Sequence, residues 1–220
     1  MIDLRRFKAI IFDLDGTLVD SMWIWKQIDI DFLSKRNIDF PEDLQKEIEG
    51  MSFTETANYF KNRFEIEESI EAIQDEWHHM AVEFYTSRIP LKDDVKHLMA
   101  HATANNIVMG IGTSNSKALL LTVLQAHDIE KYFKTLRTSC EVASGKPSPD
   151  IFLKVAEDLG VSPRECLVFE DTYAGVKAGK NAGMTVVGIY DEVSASSREE
   201  IKGLADLYVT SFREFLDYIS

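Results

Sequence analysis

Apolar positions along the chain follow two patterns. Short, nearly unbroken runs end in polar or acidic residues: KAIIFDLDG at 8–16, IVMGIGTSN at 107–115, ECLVFED at 165–171, MTVVGIY at 184–190 and DLYVTS at 206–211. They are brief and almost continuous in apolar residues, which predicts strands buried on both faces. FKTLRTS at 133–139 is a weaker strand candidate. Amphipathic stretches at 93–105, 116–128, 149–159 and 174–182 lie between the runs and predict helices. Strand–helix alternation of this kind predicts an α/β fold with a doubly wound parallel sheet. Two of the helices carry start signals. Ser148-Pro149-Asp150 and Ser162-Pro163-Arg164-Glu165 each place a serine at N-cap and proline at the first helical position, and Glu165 would complete a capping box.

Residues 22–87 break the alternation. MWIWKQIDIDFLSKR, EDLQKEIEG, FTETANYFKNRF and IEAIQDEWHHMAVEFYTSR are all helix-like, with no convincing strand among them. The expected division is an α/β core over 1–20 and 89–220 with an all-helical subdomain over 21–88 inserted after the first strand.

Composition narrows the function classes. The chain has 220 residues, 45% of them hydrophobic, and a formal net charge of −13. That charge argues against nucleic acid, whose phosphates demand basic stripes, and against an anionic lipid surface. No apolar run is long enough for a membrane span, and the N-terminal one is too short for a signal peptide. A cytoplasmic location follows by default. Cys140 and Cys166 lack metal-type spacing and are expected to be buried, reduced thiols.

In an open parallel sheet, ligands gather beyond the carboxyl ends of the strands. The polar residues there are Asp13 and Asp15 after the first strand, Thr113-Ser114-Asn115 after the second and Glu170-Asp171 after LVF. Lys146 lies in the loop SGKPSPD. Two aspartates two residues apart, joined by a second acidic pair, form a hard oxygen-rich site suited to Mg²⁺. Without a cation such a group would repel itself. The hydroxyl and amides at 113–115 can donate to phosphoryl oxygens, and Lys146 can neutralise them. Phosphoryl transfer to a carboxylate uses all of these parts together.

These residues resemble the haloacid dehalogenase superfamily of phosphohydrolases over nearly the full chain. FDLDGTLVDS looks like the first motif of that family, GIGTSNS the second, Lys146 in SGKPSPDIF the third and VFEDTYAGVKAGKNAGM the fourth. The helical block sits where the β-phosphoglucomutase-like branch carries its small α-helical cap on a Rossmann-like core. The resemblance implies Asp13 as nucleophile, forming an aspartyl-phosphate, and Asp15 as general acid and then base. It implies Mg²⁺ held by the Asp13 carboxylate, the Asp15 backbone carbonyl and Asp171, with Glu170 direct or through water. Thr113 and the amides near Leu14 and Ser114 would hold the phosphoryl group, and Lys146 would stabilise Asp13 and the developing charge. Gly16 can adopt φ > 0, which lets the chain turn away and leaves both carboxylates facing the pocket.

Other features carry less. GVKAGKNAG lacks the Lys-Ser/Thr of a P-loop, and GIG at 110–112 lacks the third glycine of a dinucleotide fingerprint. Gly175, Gly179 and Gly183 are expected to let one helix face pack close to the sheet. His97 and His101 share a helix face but lack a third ligand, and His78 and His79 point apart toward the surface. Trp23 and Trp25 are candidates for lining the pocket from the cap.

The leading expectation is a Mg²⁺-dependent phosphatase of a small phosphorylated metabolite. A hexose-phosphate mutase is the nearest rival. Mutases of that branch carry a cap arginine to grip a second phosphate, and here Phe53 stands at that place, with Glu49 where a lysine would precede Gly50. A receiver-type signalling domain, phosphorylated on an aspartate, is the rival from another class. The helical insertion and Asp15 argue against it. Oligomeric state and the physiological substrate are not legible.

Overall fold

The computed structural model describes residues 2–219. Six strands form one parallel sheet: β1 (Ala9–Phe12), β2 (Val108–Thr113), β3 (Phe133–Thr138), β4 (Cys166–Glu170), β5 (Thr185–Ile189) and β6 (Leu207–Val209), in the order β3-β2-β1-β4-β5-β6. The chain leaves β1 first toward β2 and β3, then returns to add β4 on its other side. That reversal opens a crevice at the carboxyl ends of β1, β2 and β4. FKTLRTS is the strand β3, at a sheet edge. Ten α-helices are assigned among the described residues. Four of them, α1 (Met22–Ser34), α2 (Leu44–Glu47), α3 (Phe53–Arg63) and α4 (Ile70–Ser87), follow β1 without an intervening strand. The others are α5 (Val95–Ala104), α6 (Lys117–Ala126), α7 (Asp150–Leu159), α8 (Tyr173–Asn181), α9 (Arg198–Leu204) and α10 (Phe212–Ile219).

Alternate strand residues sort to the two faces, as the period of two requires. Ile10, Phe12, Met109, Ile111, Leu167 and Phe169 pack toward α5, α6 and α10, and that core runs on without a break into the helical block. Ala9, Ile11, Cys166 and Val168 face α7, α8 and α9 through Ile151, Phe152, Val176 and Ile201. Phe12 stacks on Phe169 at 5.4 Å, and Phe215 meets Phe169 edge-on at 4.9 Å, so aromatic packing pins β1 to β4 just below the crevice. Each fully buried phenylalanine is worth about 1.5–3 kcal/mol.

Several local expectations are corrected. Ser148 does not cap α7: the helix begins after Pro149, and the Ser148 hydroxyl donates to the Asp150 carboxylate instead. Residues 163–165 form a single 3-10 turn rather than an α-helix, and the predicted capping box is absent because β4 starts at the next residue. Gly183 lies beyond the end of α8 with φ +73°, so it turns the chain and does not pack against the sheet. Cys140 is exposed, with Sγ 3.3 Å from the Thr54 hydroxyl, whereas Cys166 is buried. His97 Nδ1 lies 2.6 Å from Asp94 Oδ1, within hydrogen-bond distance, on an exposed helix face. Among the described residues, no helix is long and apolar enough to cross a membrane.

Candidate active site

Strand register brings the acids together. Phe12 lies opposite both Ile111 and Phe169, so Asp13, Thr113 and Glu170 all emerge at one end of the sheet. The Asp13 N–H donates to the Phe169 carbonyl at 3.0 Å, carrying the ladder one step past the strand. The chain then turns at once, with the Gly16 N–H donating to the Val19 carbonyl at 2.8 Å. Gly16 has φ +81°, and a Cβ on it would sit 2.2 Å from Asp171 Oδ2. Only glycine therefore allows both this turn and the approach of the Asp171 carboxylate. Thr17 supports the same carboxylate, its hydroxyl donating to Asp171 Oδ1 at 3.0 Å.

Asp13, Glu170 and Asp171 are buried, with carboxylate oxygens within 4.8 Å of one another. Lys146 is the one cation among them, its Nζ 2.6 Å from Asp13 Oδ1 and also bonded to Glu170 Oε1. Burial would push the Lys146 ammonium down, but the carboxylates of Asp13 and Glu170 hold it above its ordinary value. Burial, with Glu170 and Asp15 close by, raises the Asp13 carboxyl well above the usual range against the pull of Lys146. Asp171 is raised by burial and by Glu170, Asp13 and Asp191. One positive charge thus faces three carboxylates in a dry crevice, and the all-oxygen donor set is what a hard divalent cation takes. Glu170 differs from its neighbours. Its Oε2 already accepts the N–H groups of Asp171 (2.9 Å) and Thr172 (3.0 Å) and the Thr172 hydroxyl (3.1 Å). Asp13 and Asp171 have the freer carboxylate oxygens.

Asp15 is held apart from this cluster. Its Oδ1 accepts from the Ser21 hydroxyl at 2.5 Å and from the Tyr85 hydroxyl, and its Oδ2 accepts from Asn115 Nδ2 at 2.8 Å. Asn115 Nδ2 also donates to the Tyr85 oxygen, which accepts in addition from Trp25 Nε1 at 3.0 Å. Asp15 is therefore oriented jointly by the core and by α1 and α4. The Thr113 hydroxyl, buried, accepts from the Asn115 N–H at 3.1 Å. The Ser114 carbonyl accepts the Phe53 N–H at 2.9 Å, tying the second strand end to α3. Leu14 is fully buried between the two aspartates.

Of the predicted residues, Asp13, Asp15, Thr113, Ser114, Asn115, Lys146 and Glu170 line one cavity of about 540 Å³, whereas Leu14 and Asp171 are fully buried and do not line it. Trp25 lines it too, while Trp23 is 46% exposed on the outer surface. Sequence reasoning missed Tyr85, Ser21, Asp29, Gln45 and Trp77. Asp29 had a signal, a lone acid on the buried side of the apolar run WIWKQIDIDF. Tyr85 had none, since its partner Asp15 is 70 residues away.

Comparison with known proteins gives a consistent result. The family model described as haloacid dehalogenase-like hydrolase matches residues 10–189. The phosphorylated carbohydrates phosphatase of Thermotoga maritima is 29% identical over 177 residues, spanning 80% of this chain and 82% of that one. The β-phosphoglucomutase of Bacillus subtilis is 30% identical over 194 residues and 83% of each chain. The crystal structure of CbbY from Rhodobacter sphaeroides in complex with phosphate shares the fold, with TM-score 0.84 at 23% identity over 95% of this chain and 96% of that one.

Proposed function

Because the chain belongs to the haloacid dehalogenase-like hydrolases and is a phosphoric monoester hydrolase, we propose a Mg²⁺-dependent reaction on a small phosphorylated metabolite, through an aspartyl-phosphate on Asp13. The observation that supports it is the pairing of Asp13 with Lys146 at 2.6 Å inside the buried acidic cluster, with a hydrogen-bonded Asp15 on the same cavity wall. Asp13 and Asp171, with the Asp15 carbonyl and Glu170 directly or through water, would hold the ion. Bound there, Mg²⁺ supplies charge neutralisation for the carboxylates and the phosphoryl oxygens.

A carboxylate oxygen of Asp13 attacks phosphorus, and the bond from phosphorus to the leaving oxygen breaks. The Asp15 carboxyl gives its proton to that oxygen. Asp15 then takes a proton from a water that attacks the acyl-phosphate, releasing inorganic phosphate and restoring Asp13. Lys146 orients Asp13 and balances the charge that develops on the phosphoryl group, which Thr113 and the amides near Leu14 and Ser114 cradle, beside Asn115. The helices of residues 21–88 act as a cap over the core of 1–20 and 89–220, keeping bulk water out. A cytoplasmic setting completes the reading, in keeping with two free cysteines.

Two cap residues favour hydrolysis over mutase chemistry. Phe53 packs edge-on against Trp25 and Trp77, and the Glu49 carboxylate accepts the Ala174 N–H at 2.8 Å. Neither can grip a second phosphate. The test is phosphate release from acetyl phosphate with and without Mg²⁺, with ³¹P NMR of the products. Release that needs Mg²⁺ and disappears in Asp13→Asn is expected. A sugar phosphate isomerised without release would point to a mutase, and a single long-lived phosphoaspartate to a receiver.

A further inference from the structure

Away from the phosphoryl end, the cavity wall is built by the helical block together with Val193, Ser194, Ser197 and Glu200 of the core, and one buried acid in the helical part has no part in the reaction above. Helix α1 presents Met22, Trp25 and Asp29 to the cavity at spacings of three and four, while Ile24, Ile28 and Phe32 turn into the core. Asp29 is 5% exposed. Its Oδ2 accepts from Gln45 Nε2 at 2.7 Å, and no lysine, arginine or histidine among the described residues pairs with it. Burial, offset only in part by Gln45, pushes its carboxyl up to about 7. A buried acid with a single neutral partner costs stability, so its place in a ligand cavity calls for a function.

A second, independent observation points to a ligand. Trp77 lines the same cavity, is 2% exposed, and its indole Nε1 has no hydrogen-bond partner. Trp25 and Phe53 stand 6.1 Å apart and Phe53 and Trp77 5.6 Å apart, giving an apolar wall beside the acid. Acceptor capacity on Asp29 and the aromatic faces beside it suit a leaving group that carries polar hydrogens on a carbon frame. The cap side of the wall also carries Glu42, Glu49 and Asp43, the last paired with Arg63 at 3.2 Å, and its one lining cation among the described residues, Lys46, is exposed. A second anionic group would meet like charge there.

We infer that Asp29, positioned by Gln45, determines specificity by accepting hydrogen bonds from hydroxyl or ammonium groups of the substrate, which bears one phosphate and no second acidic group. This rests on the phosphatase reading. Charge-assisted hydrogen bonds to a buried carboxylate discriminate strongly, because an analogue lacking the donor leaves the acid unpaired.

The test is kcat/KM in Mg²⁺ for sorbitol 6-phosphate, glucosamine 6-phosphate, fructose 1,6-bisphosphate and acetyl phosphate, in the wild type, Asp29→Asn and Asp29→Ala. The wild type should favour the better of the first two over the bisphosphate by about tenfold or more. In each variant, the ratio of that preferred substrate to acetyl phosphate should fall by about tenfold or more. A ratio cancels any loss of folded enzyme. Preference for sorbitol 6-phosphate identifies hydroxyl donors, and preference for glucosamine 6-phosphate an ammonium. Acetyl phosphate hydrolysis with ratios changed by less than about twofold, or a wild type that prefers or equally accepts the bisphosphate, overturns the inference alone. No hydrolysis of any of the four overturns it together with the phosphatase reading.

Discussion

At Gly16 one residue decides whether two strand ends can share a site. A methyl group there would fall 2.2 Å from Asp171 Oδ2 and 2.8 Å from the Met22 side chain, on a backbone at φ +81° that alanine adopts at a cost. Gly16→Ala is expected to lose about 1–3 kcal/mol of stability and most of its turnover, read by denaturant unfolding and phosphate release. Asp29 gives a prediction with a pH signature. Its folded-state carboxyl is raised to about 7 by burial, from an ordinary value of 3.8, so the folded protein holds that proton more tightly than the unfolded chain does. Stability is accordingly lost as pH rises from about 4 through about 7, and is flat above. Asp29→Asn removes the penalty while keeping an acceptor for Gln45. It should be nearly neutral at pH 4 and gain stability toward pH 8, with an upper bound on the order of 4 kcal/mol. Thermal melts across that range check it, and a gain largest at acid pH would contradict it. Asp13, Asp15, Lys146 and the pair Glu170-Asp171 were legible because each ends a strand or follows a loop in a recognisable string. Asp29 and Tyr85 were not, since their roles depend on what other helices place opposite them.

Helix α8 shows how an element can be tuned to one side chain. Thr172 caps it, accepting from the Gly175 N–H at 3.1 Å, and the Glu170 carboxylate lies against its first turn. A Cβ on Gly175 would fall 1.8 Å from Glu170 Oε1, and Glu170 is fully buried and tied to Lys146. Neither partner can yield, so Gly175→Ala must displace α8 or swing Glu170 off Lys146. The expected result is a melting temperature lowered by several degrees and weaker stabilisation by Mg²⁺, followed by calorimetry with and without the ion. A variant that melts and responds like the wild type would show that the contact is slack. The glycine spacing was readable from the sequence, but its purpose was only half so. Gly179 does meet the sheet, with a Cβ position 2.6 Å from Val186, whereas Gly183 serves a turn. Strands were legible where burial on both faces makes them continuously apolar. The edge strand β3 was the faint one, because Lys134 is exposed and the polar Thr135 and Arg137 are only half-buried on the other face, both bonding Asp158 of α7. The serine-proline pairs were half informative: Ser162 and Pro163 do stand at N-cap and first position, but of a 3-10 turn without a side-chain cap, whereas at α7 the N-cap falls on Pro149.

For the whole molecule, the decisive balance is between a dry crevice and the charges that chemistry needs there. The sequence displays the acids but not their enclosure, which arises when residues such as Thr17 and Asp171, 154 positions apart, come into contact. Enclosure also depends on bonds between the helical block and the sheet ends, among them Phe53 N–H to the Ser114 carbonyl at 2.9 Å and Ala174 N–H to Glu49 at 2.8 Å. Burial and mutual repulsion raise Asp13 and Asp171 in the folded state. Without a cation, the native protein therefore binds more protons than the unfolded chain once pH exceeds the ordinary carboxylate range. Its stability from these groups declines as pH climbs toward the raised values. The cation proposed for this site would take the deprotonated carboxylates, so the stabilisation it confers should grow over the same interval. Melting temperatures in excess Mg²⁺ and in EDTA should differ little at pH 5 and by several degrees more at pH 8, and Asp171→Asn should shrink the gap at pH 8. Lys146 keeps its charge throughout, being held above its ordinary value, and so contributes no slope in this window. If the two melts stay equally separated at both pH values, the three acids are not what the ion binds, and the placement of Asp13 beside it has to be abandoned.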